Sequence, residues 1–415
     1  MALPERISDY CALVCQQIRW KKTHDSITRE LTDHLLAQRD AYYAEGYPME
    51  AAEAQAILDF GDPVMIGSQL DRVHRPKSQW ACFAIVAALC LCGLLAQTLS
   101  ALSAPYGMNP QLGAYFLGAA VLTGCYFMDF SVLSKHTLWF YFIVAGISVA
   151  LHIFPIYVNL RSCIVLLYPL AIACGIYHFR KKGNAGIVIS TALAAMLFLL
   201  SLWMNSMAGA ILSLIAALSV IPYSVCMGWF GAKRKGGLLI WAGLMLFWIA
   251  AALLPELLPM LRGRIWQDSY ISGLIDEVLQ SARWFGMAEP LSHTLPAMHT
   301  DYILTFLLYR FGWLAFGIVT GLLALLLLLC FHSVGKQKSI LGRLVSFSIT
   351  LGFAVEIIGY LFSNLGIAGL PSFTLPFVSY GVFANLIHFS LLGILLSVFR
   401  NGEIMSDSIL TAKTI

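Results

Sequence analysis

Apolar positions change their rhythm near residue 80 of this 415-residue chain. Before that point they recur at helical spacing among charged residues; after it they run together in long blocks. In the first stretch, Arg6 to Trp20 and Ser26 to Glu45 predict two helices, with Leu31, Leu35 and Tyr42 among the apolar positions of the second. Gly46 closes that helix and Pro48 opens a third at its first turn, where a missing N–H costs nothing. The third helix runs through Ala51, Ala54 and Ile57 and stops at Gly61-Asp62-Pro63, a glycine followed by a nearby proline. A last helix, Val64 to Val73, leads through His74-Arg75-Pro76-Lys77 to the first apolar block.

The blocks fall at about 81–101, 113–129, 137–155, 162–178, 186–204, 207–228, 237–260, 303–331, 343–364 and 377–399. Each can cross about 30 Å of hydrocarbon at roughly 1.5 Å per residue, with some help from flanking residues. The stretch 186–228 reads either as one broken helix pair or as two tight spans, since Met204-Asn205-Ser206 is its one clear polar break. The expected fold is all-α: a polytopic membrane protein with about ten transmembrane helices plus a small N-terminal soluble helical domain. The expected domains are a helical head at 1–79, a membrane domain at 80–400 and a tail at 401–415. One large hydrophilic segment, 261–302, separates the seventh and eighth spans. It holds Trp266, Tyr270, Trp284 and Phe285 and a possible amphipathic helix from Ile271 to Ala282.

Composition supports the membrane reading. Hydrophobic residues make up 59% of the chain and charged ones 12%, with a mean hydropathy of +0.77. A soluble domain carries about 25% charge, so most of this surface faces something apolar. The net charge of +4 is small and no basic run is interleaved with aromatics, which argues against nucleic acid. The first residues are polar and charged, so no signal peptide is expected. Lys135, Arg180-Lys181-Lys182, Lys233-Arg234-Lys235, Lys336, Lys338 and Arg343 fall on alternate short loops, and Arg161 alone on the others. The excess of Lys and Arg on cytoplasmic loops then puts the head and both termini in the cytoplasm and 261–302 outside. The ten cysteines lie in the head or inside apolar runs, which predicts apolar filling rather than disulfides.

Asp301 stands where the long loop enters the eighth span, within Leu295-Pro296-Ala297-Met298-His299-Thr300-Asp301-Tyr302-Ile303-Leu304. Local sequence alone favours a cap, with Thr300 or Asp301 accepting free backbone N–H groups. Arg310 and Glu356 sit inside predicted spans and Glu256 nearer the outer end of its own. Charges at such depth are costly and pair or line polar paths, so Arg310 and Glu356 are expected to pair across the eighth and ninth helices. His152 and His388 read as packed or interfacial residues rather than ligands.

Two family resemblances add to this. The head, through Glu30-Leu31, His34-Leu35, Tyr43, Gly46-Tyr47, Ala51-Ala52 and Phe60-Gly61-Asp62-Pro63, resembles the prefix domain found in front of bacterial permeases and anti-sigma regulators. That resemblance implies a cytoplasmic docking module with its own partner. In the membrane domain, His299-Thr300-Asp301-Tyr302-Ile303 with Phe311-Gly312-Trp313-Leu314 resembles the His-Thr-Asp-Phe-Ile…Leu-Gly block of the SEDS family (FtsW, RodA, SpoVE). Thr374-Leu375-Pro376-Phe377-Val378-Ser379-Tyr380-Gly381, followed by Leu392-Gly393-Ile394-Leu395-Leu396-Ser397, resembles the family's Leu-Pro-Phe-Ile-Ser-Tyr-Gly-Gly signature and last helix.

The SEDS resemblance implies a peptidoglycan glycosyltransferase of the bacterial plasma membrane, polymerising lipid II with inversion in division, shape maintenance or sporulation. Asp301 would be the general base for the acceptor hydroxyl. His299, Thr300, Pro376, Ser379, Tyr380 and Gly381 would surround the substrate, and Arg161, Arg262, Arg264 or a divalent cation (Mg or Mn) would steady the leaving diphosphate. No cofactor is otherwise implied, and the implied partner is a class B penicillin-binding protein. The chain departs from the family at Tyr309 and Arg310, where two glutamates are usual, at Asn159-Leu160-Arg161, at Pro169 and at Val382. These departures keep two other functions open: a non-catalytic regulator or scaffold of a cell-wall synthase, and a lipid-precursor flippase or transporter.

Overall fold

The computed structural model describes residues 5–74, 78–101, 109–128, 130–154, 158–252, 258–290, 293, 295–298, 300–367, 371 and 373–402; the side chains of 251–269 and of several helix-end residues lie outside the description. The chain divides into two compact units, Met1–Ser78 and Gln79–Leu410.

The first unit is four helices: α1 (Glu5–Gln16), α2 (His24–Ala44), α3 (Met49–Phe60) and α4 (Pro63–His74). Their apolar faces close on Ile7, Tyr10, Cys11, Val14, Ile18, Ile27, Leu31 and Leu35, with Ile57, Phe60, Ile66 and Leu70 packed around them. The predicted stops hold: Gly46 and Gly61 take the left-handed backbone that glycine tolerates best, with φ of +99° and +93°. Tyr10 seals the turn by donating to the Gly61 carbonyl at 3.0 Å. Asp62 then caps α4, its carboxylate accepting from Val64 and Met65 N–H at 3.3 Å each.

The second unit contains α5 (Trp80–Ala101), α6 (Asn109–Phe127), α7 (Ser131–Lys135), α8 (Thr137–Ile153), α9 (Val158–Ile164), α10 (Tyr168–Phe179), α11 (Gly183–Trp203), α12 (Met207–Cys226), α13 (Arg234–Ala252), α14 (Leu258–Ser281), α15 (Ile303–Phe311), α16 (Trp313–Val334), α17 (Ile340–Asn364) and α18 (Val382–Asn401). Among the described residues 7 helices are long and apolar enough to cross a membrane, and the shorter apolar helices Gln111–Phe127 and Thr137–Ile153 add to them. The protein is all-helical and multi-pass, as the apolar blocks predicted.

α10 lies at the centre and packs on α8, α11, α12 and α17. Every residue from Tyr168 to Tyr177 is buried, the mark of a helix surrounded on all sides. Helices α6 and α18 cross closely through small residues, with Gly393 against Cys125 and the Leu122 carbonyl. Met204–Ser206 separates α11 from α12 as two tight spans: Asn205 adopts φ +53°, and the Ser206 hydroxyl caps α12 by accepting from Gly209 N–H at 3.3 Å.

Three predicted elements differ. The apolar run 237–260 is described as helix to Ala252 and again from Leu258, with 253–257 outside the description, and the helix from Leu258 runs on to Ser281, so the amphipathic stretch from Ile271 is the second half of a longer helix, α14. The last span begins at Val382, because 375–381 folds into a turn first. The eighth span is two helices, α15 and α16, broken at Gly312 with φ +85°. Tertiary contacts cause that break: Trp313 N–H donates to the Arg283 carbonyl (3.0 Å), Leu314 N–H to that of Trp284 (3.3 Å), and Ala288 N–H to that of Tyr309 (2.8 Å). A Cβ on residue 312 would meet the carbonyls of Arg283 and Trp284.

The expected Arg310–Glu356 pair does not form. Arg310 lies exposed in the last turn of the short α15, with its guanidinium 2.9 Å from the Met287 sulfur. Glu356 is buried and its carboxylate meets His388 Nε2 at 2.8 Å. Breaking the span at Gly312 turned Arg310 away, and the facing histidine on α18 supplies the partner instead.

Candidate active site

The long loop returns to the helices over 295–302. Leu295 packs with Leu274 and Ile275 of α14, and Met298 and Tyr302 lie against the same cluster. At Ala297 the backbone turns with φ +49°, and its carbonyl accepts from Thr300, Asp301 and Tyr302 N–H at 3.1, 3.0 and 3.2 Å. This turn sets Asp301, half-buried, immediately ahead of α15.

Three buried side chains from elsewhere grip the backbone there. Tyr360 of α17 donates its hydroxyl to the Thr300 carbonyl at 3.0 Å and accepts from Ile303 N–H at 2.9 Å. Asn364, the last residue of α17, donates to the Asp301 carbonyl at 3.0 Å and accepts from Thr305 N–H and hydroxyl at 3.0 Å each. Ser379 donates to the Thr300 carbonyl at 2.8 Å. Helix α15 therefore has its first N–H groups satisfied by Tyr360 and Asn364. Its cap residue is Tyr302, with no side-chain capping bond. The expectation was a cap from Thr300 or Asp301; the cap position falls at Tyr302, the Thr300 hydroxyl donates to the Ala297 carbonyl at 3.3 Å, and the buried helix end takes side chains from α17.

The second motif makes the other half of the site. Pro376 and Ser379 are buried, whereas Tyr380 and Gly381 are partly open. Ser379 ties its own turn by accepting from Leu375 N–H at 2.9 Å, and Phe377 adopts φ +65°. The carbonyls so exposed are taken up by α5 and α6: Phe377 by Tyr115 (2.7 Å), Val378 by Gln97 (3.1 Å) and Ser379 by Gln111 (3.5 Å). Asn385 of α18 adds donors to Ser379 and Gly381 carbonyls at 3.1 and 2.8 Å. Irregular backbone beside spanning helices persists only when its polar groups find partners like these. Pro376 and Ser379 thus shape the site from inside, while Thr300, Asp301, Tyr380 and Gly381 are its partly open groups.

Arg161 sits half-exposed on α9, which packs against α18, and has no ion-pair partner among the described residues. Arg262 and Arg264 belong to α14, but their side chains lie outside the described residues, as do His299 and Glu256 entirely. Among the described residues no three His, Cys, Asp or Glu side chains are grouped to hold a metal ion. Sequence reasoning passed over Tyr360, Asn364, Gln97, Gln111, Tyr115 and Asn385. Their signal was present: amides and tyrosines embedded in apolar runs, weighed less than the ionisable residues beside them.

The comparisons with known proteins now bear on this arrangement. Residues 284–403 match the FtsW/RodA/SpoVE family model, described as cell cycle protein. The match contains both halves of the site. The chain is similar in structure to RodA, the rod shape determining protein of Thermus thermophilus, with a TM-score of 0.52 at 19% identity, covering 78% of this chain and 97% of that one. That share of the chain has the RodA fold. A chain from a structure described as coordinating polymerization and crosslinking by a peptidoglycan synthase complex is similar too, with a TM-score of 0.56 at 18% identity, covering 79% of this chain and 99% of that one. Among curated sequences, the probable peptidoglycan glycosyltransferase FtsW of Acinetobacter baylyi is 33% identical over 106 residues, 24% of this chain and 26% of that protein. The FtsW of Thiomonas intermedia is 33% identical over 132 residues, 29% of this chain and 32% of that protein. The chain thus matches about a quarter to a third of the length of these curated relatives. Together the findings support the SEDS resemblance drawn from the two motifs.

Proposed function

We propose that this protein is a peptidoglycan glycosyltransferase that polymerises lipid II on the outer face of the bacterial plasma membrane, with Asp301 as general base. The observation that carries the reading is the division of labour around Asp301. Tyr360, Asn364 and Ser379 hold the backbone on both sides of it, and Tyr360 and Asn364 also take the Ile303 and Thr305 N–H groups of the helix end behind it. A carboxylate fixed in this way at a partly open position can take a proton from the acceptor sugar's hydroxyl. That oxygen then attacks the donor's anomeric carbon, the bond to the lipid diphosphate breaks, and inversion follows.

The leaving diphosphate needs positive charge, which Arg161, Arg264 or a divalent cation such as Mg or Mn would supply. The alternation of basic loops supports cytoplasmic termini and an external 261–302. The two related kinds of known protein, an FtsW and a synthase-complex chain, support a class B penicillin-binding protein as membrane partner. The head, with its prefix-like motifs, would dock a cytoplasmic partner.

Purified protein incubated with lipid II tests this directly: wild type is expected to make glycan polymer and Asp301→Asn is not. The absence of polymer from wild type, even with its synthase partner, would sink the enzyme reading. It would favour a scaffold, the reading supported by Tyr309 and the outward-turned Arg310 in place of acidic residues.

A further inference from the structure

The loops joining α10 to α11 and α12 to α13 are built as one piece. Lys181 N–H donates to the Trp229 carbonyl at 3.0 Å and Gly183 N–H to the Phe230 carbonyl at 2.8 Å. This clasp brings Arg180-Lys181-Lys182 against the loop that ends in Lys233-Arg234-Lys235. Lys181 is held with φ +65°, a conformation a lysine adopts only when its surroundings impose it. Five of the six cations are exposed, and Arg180 is half-buried over the Tyr177 ring at 3.7 Å, donating to the Tyr177 carbonyl at 2.8 Å.

Among the described residues no carboxylate is paired with this charge. The sequence has no Asp or Glu from Phe130 to Pro255, and none of the six takes part in an ion pair among the described residues. Helices α11 and α13 both begin at the clasp, and neither has an acidic residue in its first turn. Their N-termini add partial positive charge where cations already crowd. Such a concentration of positive charge attracts an external anion. Its place in the fold points to that anion: the clasp joins the ends of helices long and apolar enough to cross a membrane, and the half-buried Phe179, Tyr223 and Trp229 lie in or beside it, aromatic residues of the kind enriched at a bilayer interface. The anions present throughout that layer are phospholipid headgroup phosphates.

We propose that the clasp of 180–183 with 228–235 is a binding site for anionic phospholipid headgroups. It stands apart from the reaction assigned to Asp301 and does not depend on it.

The full-length protein in micelles doped with phosphatidylglycerol or phosphatidylcholine, with retained lipid counted by native mass spectrometry, tests the site. Wild type is expected to keep phosphatidylglycerol in preference. The variant K181Q/K182Q/K233Q/K235Q should lose that preference by about tenfold or more, since each surface cation strengthens anionic-lipid binding several-fold. The variant K336Q/K338Q, in a separate basic loop, should keep it. Equal retention of the two lipids by wild type, or unchanged preference in the quadruple variant, overturns the proposal. So does displacement of the lipid by inorganic phosphate or by an acidic peptide beyond what sodium chloride at the same ionic strength produces, which would make this a free-anion or protein-docking site. Should the quadruple variant misfold, a salt titration of wild type decides: headgroup binding through exposed cations must weaken steeply with ionic strength, and insensitivity to salt refutes it.

Discussion

Replacing Asn364 by alanine separates holding Asp301 from merely stabilising the bundle. Asn364 is fully buried and its amide joins four groups: it donates to the carbonyls of Asp301 and Tyr360 and accepts from the N–H and hydroxyl of Thr305, all at 3.0 Å. Alanine strands the Thr305 N–H and the Asp301 carbonyl, at about 1–3 kcal/mol for each buried group left without a partner. The expected loss is about 2–5 kcal/mol, reduced where membrane-buried groups find alternative partners. Thr305→Val is the control. It removes the Thr305 hydroxyl, which bonds only to Asn364, while leaving the bond to the Asp301 carbonyl in place. Thermal unfolding in detergent should rank the two variants by stability. Lipid II polymerisation should then show kcat falling about 100-fold in Asn364→Ala, as expected for roughly 1 Å of misplacement, with KM little changed. Thr305→Val should lose stability while keeping kcat. Full kcat in Asn364→Ala, measured below its unfolding temperature, would refute the positioning argument; so would an equal loss of kcat in Thr305→Val.

Three further outcomes follow from other sites. Gly312→Ala forces a Cβ against two carbonyls at φ +85°, so it should cost at least about 1 kcal/mol and lower the unfolding temperature, whereas Gly317→Ala, with open space around it, should not. His388→Leu leaves the Glu356 carboxyl buried without its partner and should destabilise by about 3–5 kcal/mol, while the double substitution with Glu356→Leu should recover much of that; additive losses would exclude the coupling. In the head, burial pushes the Tyr10 hydroxyl above its ordinary value of 10.0, with the charges of Cys11 and Asp62 adding to it. A pKa raised by folding stabilises the head fully below pH 10 and loses that contribution as pH rises through the raised value, so Tyr10→Phe should flatten the alkaline decline of head unfolding followed by circular dichroism.

Much of the site was legible as residues and little of it as geometry. Asp301, Ser379, Tyr380 and Gly381 could be picked out because they stand in short blocks with a recognisable order. Local sequence favoured a cap from Thr300 or Asp301, and it could not show that Tyr360 and Asn364 take the Ile303 and Thr305 N–H groups, because a helix end can be satisfied from outside its own segment. Tyr360 and Asn364 lie about sixty positions away in sequence, and no window around residue 301 contains them. The Arg310–Glu356 pairing failed for a related reason. Burial depth was inferred from an uninterrupted apolar run, and the run was in fact broken at Gly312 by carbonyls from Arg283 and Trp284.

What the sequence determined by itself was set by the solvent. Long apolar blocks can be covered only by lipid or by one another, so the all-helical, multi-pass architecture follows from their length, and the head's helices follow from spacing, glycine and proline. The tertiary structure decided which polar groups inside those helices meet. It joined the His-Thr-Asp and Pro-Phe-Val-Ser-Tyr-Gly blocks through the Thr300 carbonyl, paired Glu356 with His388 and clasped two basic loops together. Each of those contacts is a hydrogen bond or a charge pairing between residues far apart in the chain. A buried polar group must find a partner, but local pattern does not say which one.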